Sequence, residues 1–190
     1  LTQTVEAIQE VTGLPLQLDT SNPAAMEAAL RRYNGKPLVN SVNGKEESLE
    51  TILPLVKKYG GGLVCLTLDD EGIPADAQGR LAIAEKIVRR AEAMGIPRRE
   101  LLVDGLTMPV SAGGDNAKVT LETLRRAKEE LGVKTALGVS NVSFGLPKRE
   151  QLNQSFFTMA LEQGLDGAII NPKSEAMMGA YRAYRALAGL

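Results

Sequence analysis

Leu101-Leu102-Val103-Asp104 is an apolar run that ends on a carboxylate, and the sequence offers no helix start for ten residues beyond it. The construction recurs along the chain. Leu14-Pro15-Leu16-Gln17-Leu18 runs to Asp19, Pro37-Leu38-Val39 to Asn40, and Leu63-Val64-Cys65-Leu66-Thr67-Leu68 to Asp69. Downstream, Ala136-Leu137-Gly138-Val139 runs to Ser140-Asn141, and Ala168-Ile169-Ile170 to Asn171. Strands that are apolar throughout are buried on both faces, and their alternation with helices implies parallel strands joined by crossovers. In closed parallel barrels, active sites gather where the strands end. The polar strand ends are therefore candidate ligand contacts.

Between these runs the spacing predicts helices over 1–11, 24–33, 46–59, 80–94, 117–131, 150–163 and 175–187, with polar loops over 41–45, 69–79 and 105–115. Ser21-Asn22-Pro23 is a helix start, with a capping residue before proline. Glu46 and Glu47 open the third helix while Lys57 and Lys58 close it, the order the helix dipole favours. Six strands preceded by a helix predict an α/β fold, a (β/α)8 TIM barrel lacking its first two strands, since such barrels take ~250 residues and this chain has 190. An open doubly wound sheet is the alternative, but no G-x-G-x-x-G turn is present. Residues 1–190 are expected to form one domain, a fragment of a longer chain whose missing strands would cover the open edges.

Apolar residues make up 44% of the chain and charged residues 24%, as in a soluble globular protein, with the cytoplasm the expected location. A net charge of −1 supplies no field for gathering nucleic acid, and no apolar run nears the ~20 residues of a membrane span. The basic doublets Arg31-Arg32, Lys57-Lys58, Arg89-Arg90 and Arg125-Arg126 fit solvated helix faces. The single cysteine, Cys65, rules out an internal disulfide and sits mid-strand, where a buried hydrophobe is expected. With no histidine, Ser-His-Asp and Cys-His catalysis and the commonest zinc sites are excluded. Carboxylates, amides, hydroxyls or a reactive partner must carry any chemistry.

Asp104 is the most telling strand end, because it has no helix to cap and a buried carboxylate is costly without donors. Two N–H donors on a ligand would satisfy it. Asn141 offers both a donor and an acceptor. Asp19 could instead serve the turn before the Ser21-Asn22-Pro23 cap, Asp69 and Asp70 fit a solvated loop, and Asn171 before Pro172 fits a turn. Asp19, Asn40, Asp104 and Asn141 together match a flat heterocycle with an amino-amide edge, such as a pterin or a guanine.

The segment Gly138-Val139-Ser140-Asn141-Val142-Ser143-Phe144-Gly145-Leu146-Pro147, continuing through Arg149 and Asn153, resembles the folate-binding domain of cobalamin-dependent methionine synthase. Leu16 to Thr20, Val39 to Val42 and Leu102 to Pro109 fall where that family's other pterin motifs fall. The resemblance spans essentially the whole chain and extends to methyltetrahydrofolate:corrinoid methyltransferases and, in the same superfamily, dihydropteroate synthase. It implies that Asp19, Asn40 and Asp104 hydrogen-bond a pterin, that Gly138 and Ser140 line its wall, and that Asn141 approaches N5. Arg149 would lie near the p-aminobenzoyl-glutamate portion, unless it is merely solvated. The activity implied is transfer of the N5 methyl of 5-methyltetrahydrofolate to the cobalt(I) of a cobalamin on another domain or protein, with no metal bound by this chain. Phe144 tilts the resemblance toward the methionine-synthase branch. Dihydropteroate synthase, which has a basic residue immediately after the serine where this chain has Asn141, remains the rival enzyme; a non-catalytic pterin-binding fragment is the rival of another class.

Overall fold

The computed structural model describes residues 1–190 and contains six strands, β1 (Gln17–Asp19), β2 (Leu38–Asn43), β3 (Gly62–Leu66), β4 (Leu101–Asp104), β5 (Lys134–Gly138) and β6 (Gly167–Ile169). Seven helices alternate with them: α1 (Thr2–Val11), α2 (Pro23–Leu30), α3 (Glu46–Tyr59), α4 (Ala77–Ala93), α5 (Asn116–Leu131), α6 (Arg149–Glu162) and α7 (Glu175–Leu187). All strand pairs are parallel, and the sheet order follows the sequence from β1 to β6. This is a curled half-barrel, six units of the (β/α)8 plan, with β1 and β6 as its free edges. No helix is long and apolar enough to cross a membrane.

Local chemistry sets the helix ends. Asn22 Oδ1 accepts from the Ala25 amide at 3.0 Å, with Pro23 opening α2. Helix α4 begins at Ala77, three residues before the start expected from periodicity, because Asp76 Oδ1 captures the Gly79 amide at 2.7 Å. Gly60 ends α3 and Gly132 ends α5 in left-handed conformations, φ 73° and 61°, that glycine adopts without strain.

The segment 41–45 departs from the loop expected there, since β2 runs on to Asn43. A bulge between Asn40 and Val42 inserts Ser41, so that Val39 and Val42, three apart, both pack in the core. The inserted residue hides the alternation that marks a strand.

Register decides which residues share a face. Asp19 pairs with Asn40, Asn40 with Val64, and Val64 with Leu102. Asp104 lies two residues beyond Leu102 and pairs with Ala136, which lies two before Gly138. Paired residues in a sheet point the same way, as do residues two apart. Asp19, Asn40, Asp104 and Gly138 therefore all project from the concave face. The opposite face carries Leu18, Val39, Leu63, Cys65, Leu101 and Val103 into a 24-residue apolar core beneath the helices. A second core of 11 residues, including Leu124, Leu137, Phe156 and Phe157, lies under α5, α6 and α7. Burial pushes the Cys65 thiol up to about 12, so it packs as an inert hydrophobe.

Candidate functional site

The concave face and the strand ends above it bring the polar residues to the C-terminal mouth. Asn40 Nδ2 donates to Asp19 Oδ2 at 3.3 Å, and the pair lines a cavity of about 380 Å³ with Ser41, Asn43, Lys45 and Ser48. The turn before α2 is held without Asp19, because Thr20 Oγ1 accepts from the Asn22 amide and Asn22 itself is the cap.

Asp104 ends β4 and is only 9% exposed. Its Oδ1 accepts from the Leu106 amide at 2.8 Å, so the donor comes in part from its own loop. Its other carboxylate oxygen accepts no hydrogen bond within the chain. Burial raises the carboxyl to about 6, against the opposing pull of the Leu106 N–H and the Arg80 charge. A buried carboxylate that titrates near pH 6 and has one uncommitted oxygen is suited to accept N–H donors from a ligand.

Beyond β5 the chain forms a 3-10 turn, Val139–Ser143, that presents Asn141. A Cβ at Gly138 would lie 3.4 Å from Asn141 Nδ2, so the bare backbone leaves the amide its place. Ser143 Oγ donates to Asn153 Oδ1 at 2.7 Å and accepts from Arg149 Nε at 3.0 Å. Arg149 Nη2 donates to the Ser140 carbonyl at 2.9 Å, and the guanidinium lies 5.6 Å from the centre of the exposed Phe144 ring. Arg149 is thus exposed yet committed to the turn. Ser140, Arg149, Asn153 and Asn171 line a second cavity, also about 380 Å³. Asn171 also accepts from the Lys173 amide, the turn role its proline neighbour implied.

The structure therefore brings Asp19 and Asn40 to one cavity and Ser140 and Arg149 to another, while Asp104 and Asn141 line neither. A further cavity, about 550 Å³, lies elsewhere, between β6 and the helices α6 and α7, among Phe157, Leu161, Ala168, Tyr181 and Tyr184. It is an apolar groove at a free sheet edge rather than a ring of ligand-binding groups.

Arg80 and Thr107 gave no signal in the sequence. Arg80 is 2% exposed and reaches the loop behind Asp104, whereas its position in a periodic helix promised an ordinary solvated cation. Thr107 Oγ1 is buried without a partner two residues beyond Gly105.

A half-barrel of parallel βα units with acids and amides at its C-terminal mouth follows the (β/α)8 plan, in which active sites form at that end of the strands. The sequence profile described as pterin binding enzyme matches residues 1–171, and the chain belongs to that family. It is 30% identical over 190 residues to a methylcorrinoid:tetrahydrofolate methyltransferase of Eubacterium limosum, covering 97% of this chain and 69% of that protein. It is 34% identical over 171 residues to the methionine synthase of Mycobacterium tuberculosis, covering 83% of this chain but only 14% of that much longer protein. Among solved structures, dihydropteroate synthase of Yersinia pestis aligns over all of this chain and 79% of its own, with TM-score 0.78 and 18% identity. The Xanthomonas albilineans enzyme with 4-aminobenzoic acid aligns over all of this chain and 71% of its own, with TM-score 0.79 and 22% identity. These two likenesses show a shared fold.

Proposed function

We propose that residues 1–190 form the pterin-binding unit of a methyltransferase, which takes 5-methyltetrahydrofolate as methyl donor and works with a corrinoid-carrying domain or protein, in the cytoplasm. The observation that carries this is Asp104, a buried carboxylate with an uncommitted oxygen on the face shared by Asp19, Asn40 and Gly138. Such a carboxylate pairs with the amino-amide edge of a pterin, whose N–H groups supply what burial withholds. The Asp19–Asn40 pair offers further acceptors and one amide donor to the same ring. Names of relatives from both the corrinoid methyltransferase and methionine synthase groups support the assignment.

The corrinoid, when present, supplies a cobalt nucleophile that accepts the methyl group. This chain's residues bind and orient the folate and manage charge at N5. A tertiary amine leaves poorly, so N5 takes up a proton from solvent by the transition state. The Asn141 amide donates to neutral N5 and, reoriented, accepts from N5–H⁺, which stabilises the developing charge without itself supplying the proton. The turn built by Ser143, Arg149 and Asn153 fixes the backbone that carries Asn141 and leaves its side-chain amide free to turn. Arg149 is already engaged with Ser140 and Ser143, leaving its outer face for the glutamyl portion.

Incubation of the protein with 5-methyltetrahydrofolate and reduced cobalamin tests the reaction, with tetrahydrofolate and methylcobalamin the expected products. Asp104→Ala should abolish methyltetrahydrofolate binding; unchanged affinity would remove Asp104 from the site. Formation of dihydropteroate from a pterin pyrophosphate and 4-aminobenzoate would assign the chain to the synthase instead. Binding without either reaction would leave it a pterin-binding module.

A further inference from the structure

Arg80 and Asp104 are the two charged residues buried in the molecule, at 2% and 9% exposure. Arg80 stands in the first turn of α4, where the helix dipole disfavours a cation. No carboxylate lies within ion-pair distance of it; instead its guanidinium is spent on neutral acceptors. Nε donates to the Pro74 carbonyl at 3.0 Å, while Nη1 donates to the carbonyls of Gly105 at 2.7 Å and Leu106 at 2.9 Å and to Thr120 Oγ1 at 3.3 Å. One side chain thereby ties the β3–α4 loop, the β4–α5 loop and α5 together.

A buried guanidinium without a counterion is costly, and burial accordingly holds Arg80 below its ordinary range, with Asp104 and Asp76 pulling the other way. Two of the three carbonyls it grips belong to the residues directly after Asp104. Leu106 is gripped at its carbonyl by Arg80 while its amide donates to Asp104 Oδ1, and it is held at φ 54°, a left-handed conformation costly for leucine. The neighbouring elements contribute neutral groups: Leu66 and Thr67 from the β3 side, Ala136 from β5, and Thr120 and Thr123 of α5 beside the adjoining Gly105. Arg80 is the charge that acts on this carboxylate.

We propose that Arg80 is a positioning residue of the pterin site: from behind the sheet it fixes the Gly105-Leu106 loop, whose Leu106 amide holds Asp104 Oδ1, and sets its charge behind the carboxylate that receives the ligand's N–H groups. This rests on the folate assignment for its ligand, but the coupling between the two residues is a property of the free protein. The amide in Arg80→Gln retains a donor and loses the charge; Arg80→Lys retains the charge and loses the fork.

The test is a carbon-13 NMR titration of the Asp104 carboxyl, assigned with Asp104→Asn, in the unliganded protein and both variants, followed by methyltetrahydrofolate affinity across pH. In R80Q the Asp104 midpoint should rise by roughly one unit from about 6, and the acid limb of the affinity profile should move with it, a loss of about threefold near pH 6.5 that approaches tenfold below about pH 5. In R80K the midpoint should stay put while affinity falls severalfold from a looser loop. A folded R80Q with an unmoved midpoint, or an affinity lowered equally at every pH, would overturn the proposal. Should R80Q not fold, R80K decides: full affinity there overturns the positioning role. If no form of the protein binds methyltetrahydrofolate while the R80Q midpoint still rises, the folate assignment fails and the charge coupling stands.

Discussion

The Asn40 amide donates to the Asp19 carboxylate at 3.3 Å, across strands in which the two residues are register partners. Each fixes the other's rotamer, so each loses its orientation when the other is removed. Asp19→Ala and Asn40→Ala should therefore weaken methyltetrahydrofolate binding less than additively when combined. A double-mutant cycle by calorimetry should return a coupling of about 1 kcal/mol, within the range for residues sharing one hydrogen bond. Strict additivity would mean that the pair does not act as one contact.

Asp104 should trade stability for binding. Its carboxyl is raised from 3.8 to about 6 by burial, so the folded protein holds this proton more tightly than the unfolded chain. The resulting stabilisation is fully present below about pH 4 and is lost as pH rises through about 6. Asp104→Asn keeps an acceptor for the Leu106 amide without the ionisation cost. It should be more stable than the parent at pH 8 by up to about 3 kcal/mol and nearly equal to it at pH 4. Urea denaturation at the two pH values checks this, and the same variant should lose folate affinity.

Asn141 is exposed on a rigid turn and is proposed to act mainly as charge develops on N5. Asn141→Ala should lower the methyl-transfer rate by roughly a hundredfold, a typical loss for one transition-state hydrogen-bonding group, with a much smaller change in dissociation constant. Stopped-flow rates compared with equilibrium binding separate the two. Equal losses in both would place Asn141 among ordinary ground-state contacts.

Gly138 separates a ligand role from a structural one. Its φ of −78° suits any residue, and an added Cβ would meet only Asn141 Nδ2, at 3.4 Å. Gly138→Ala should therefore unfold within about 0.5 kcal/mol of the parent. The new methyl group would project from the concave face, into the proposed pterin site, and affinity should fall at least about tenfold. A stable variant with full affinity would move the ring away from β5.

The order of elements was legible because the buried strands are nearly continuous apolar runs and the helices carry caps and stop glycines; α3 and α7 fall where the pattern put them. The second half of β2 was hidden by the Ser41 bulge, which replaces a period of two with a spacing of three between Val39 and Val42. Strand ends pointed to Asp19, Asn40 and Asp104 because polar groups at those positions need partners. Arg80 could not be found that way, since a basic residue in a charged helix is unremarkable until the loop that folds over it is known. Nor does a motif reveal how Ser143, Arg149 and Asn153 interlock, because their hydrogen bonds depend on how the turn meets α6.

The two apolar cores divide the molecule beneath its mouth, with Asp19 and Asn40 borne by strands on the larger and Asn141 following a strand on the smaller. A rigid bicyclic ring touching all three would act as a strut between two bodies that otherwise meet along the β4–β5 seam and where α4 packs on α5. Ligand should then slow amide hydrogen exchange along that seam and in α6, far beyond the atoms it contacts, and the methyl donor would serve as a cross-brace until it is spent.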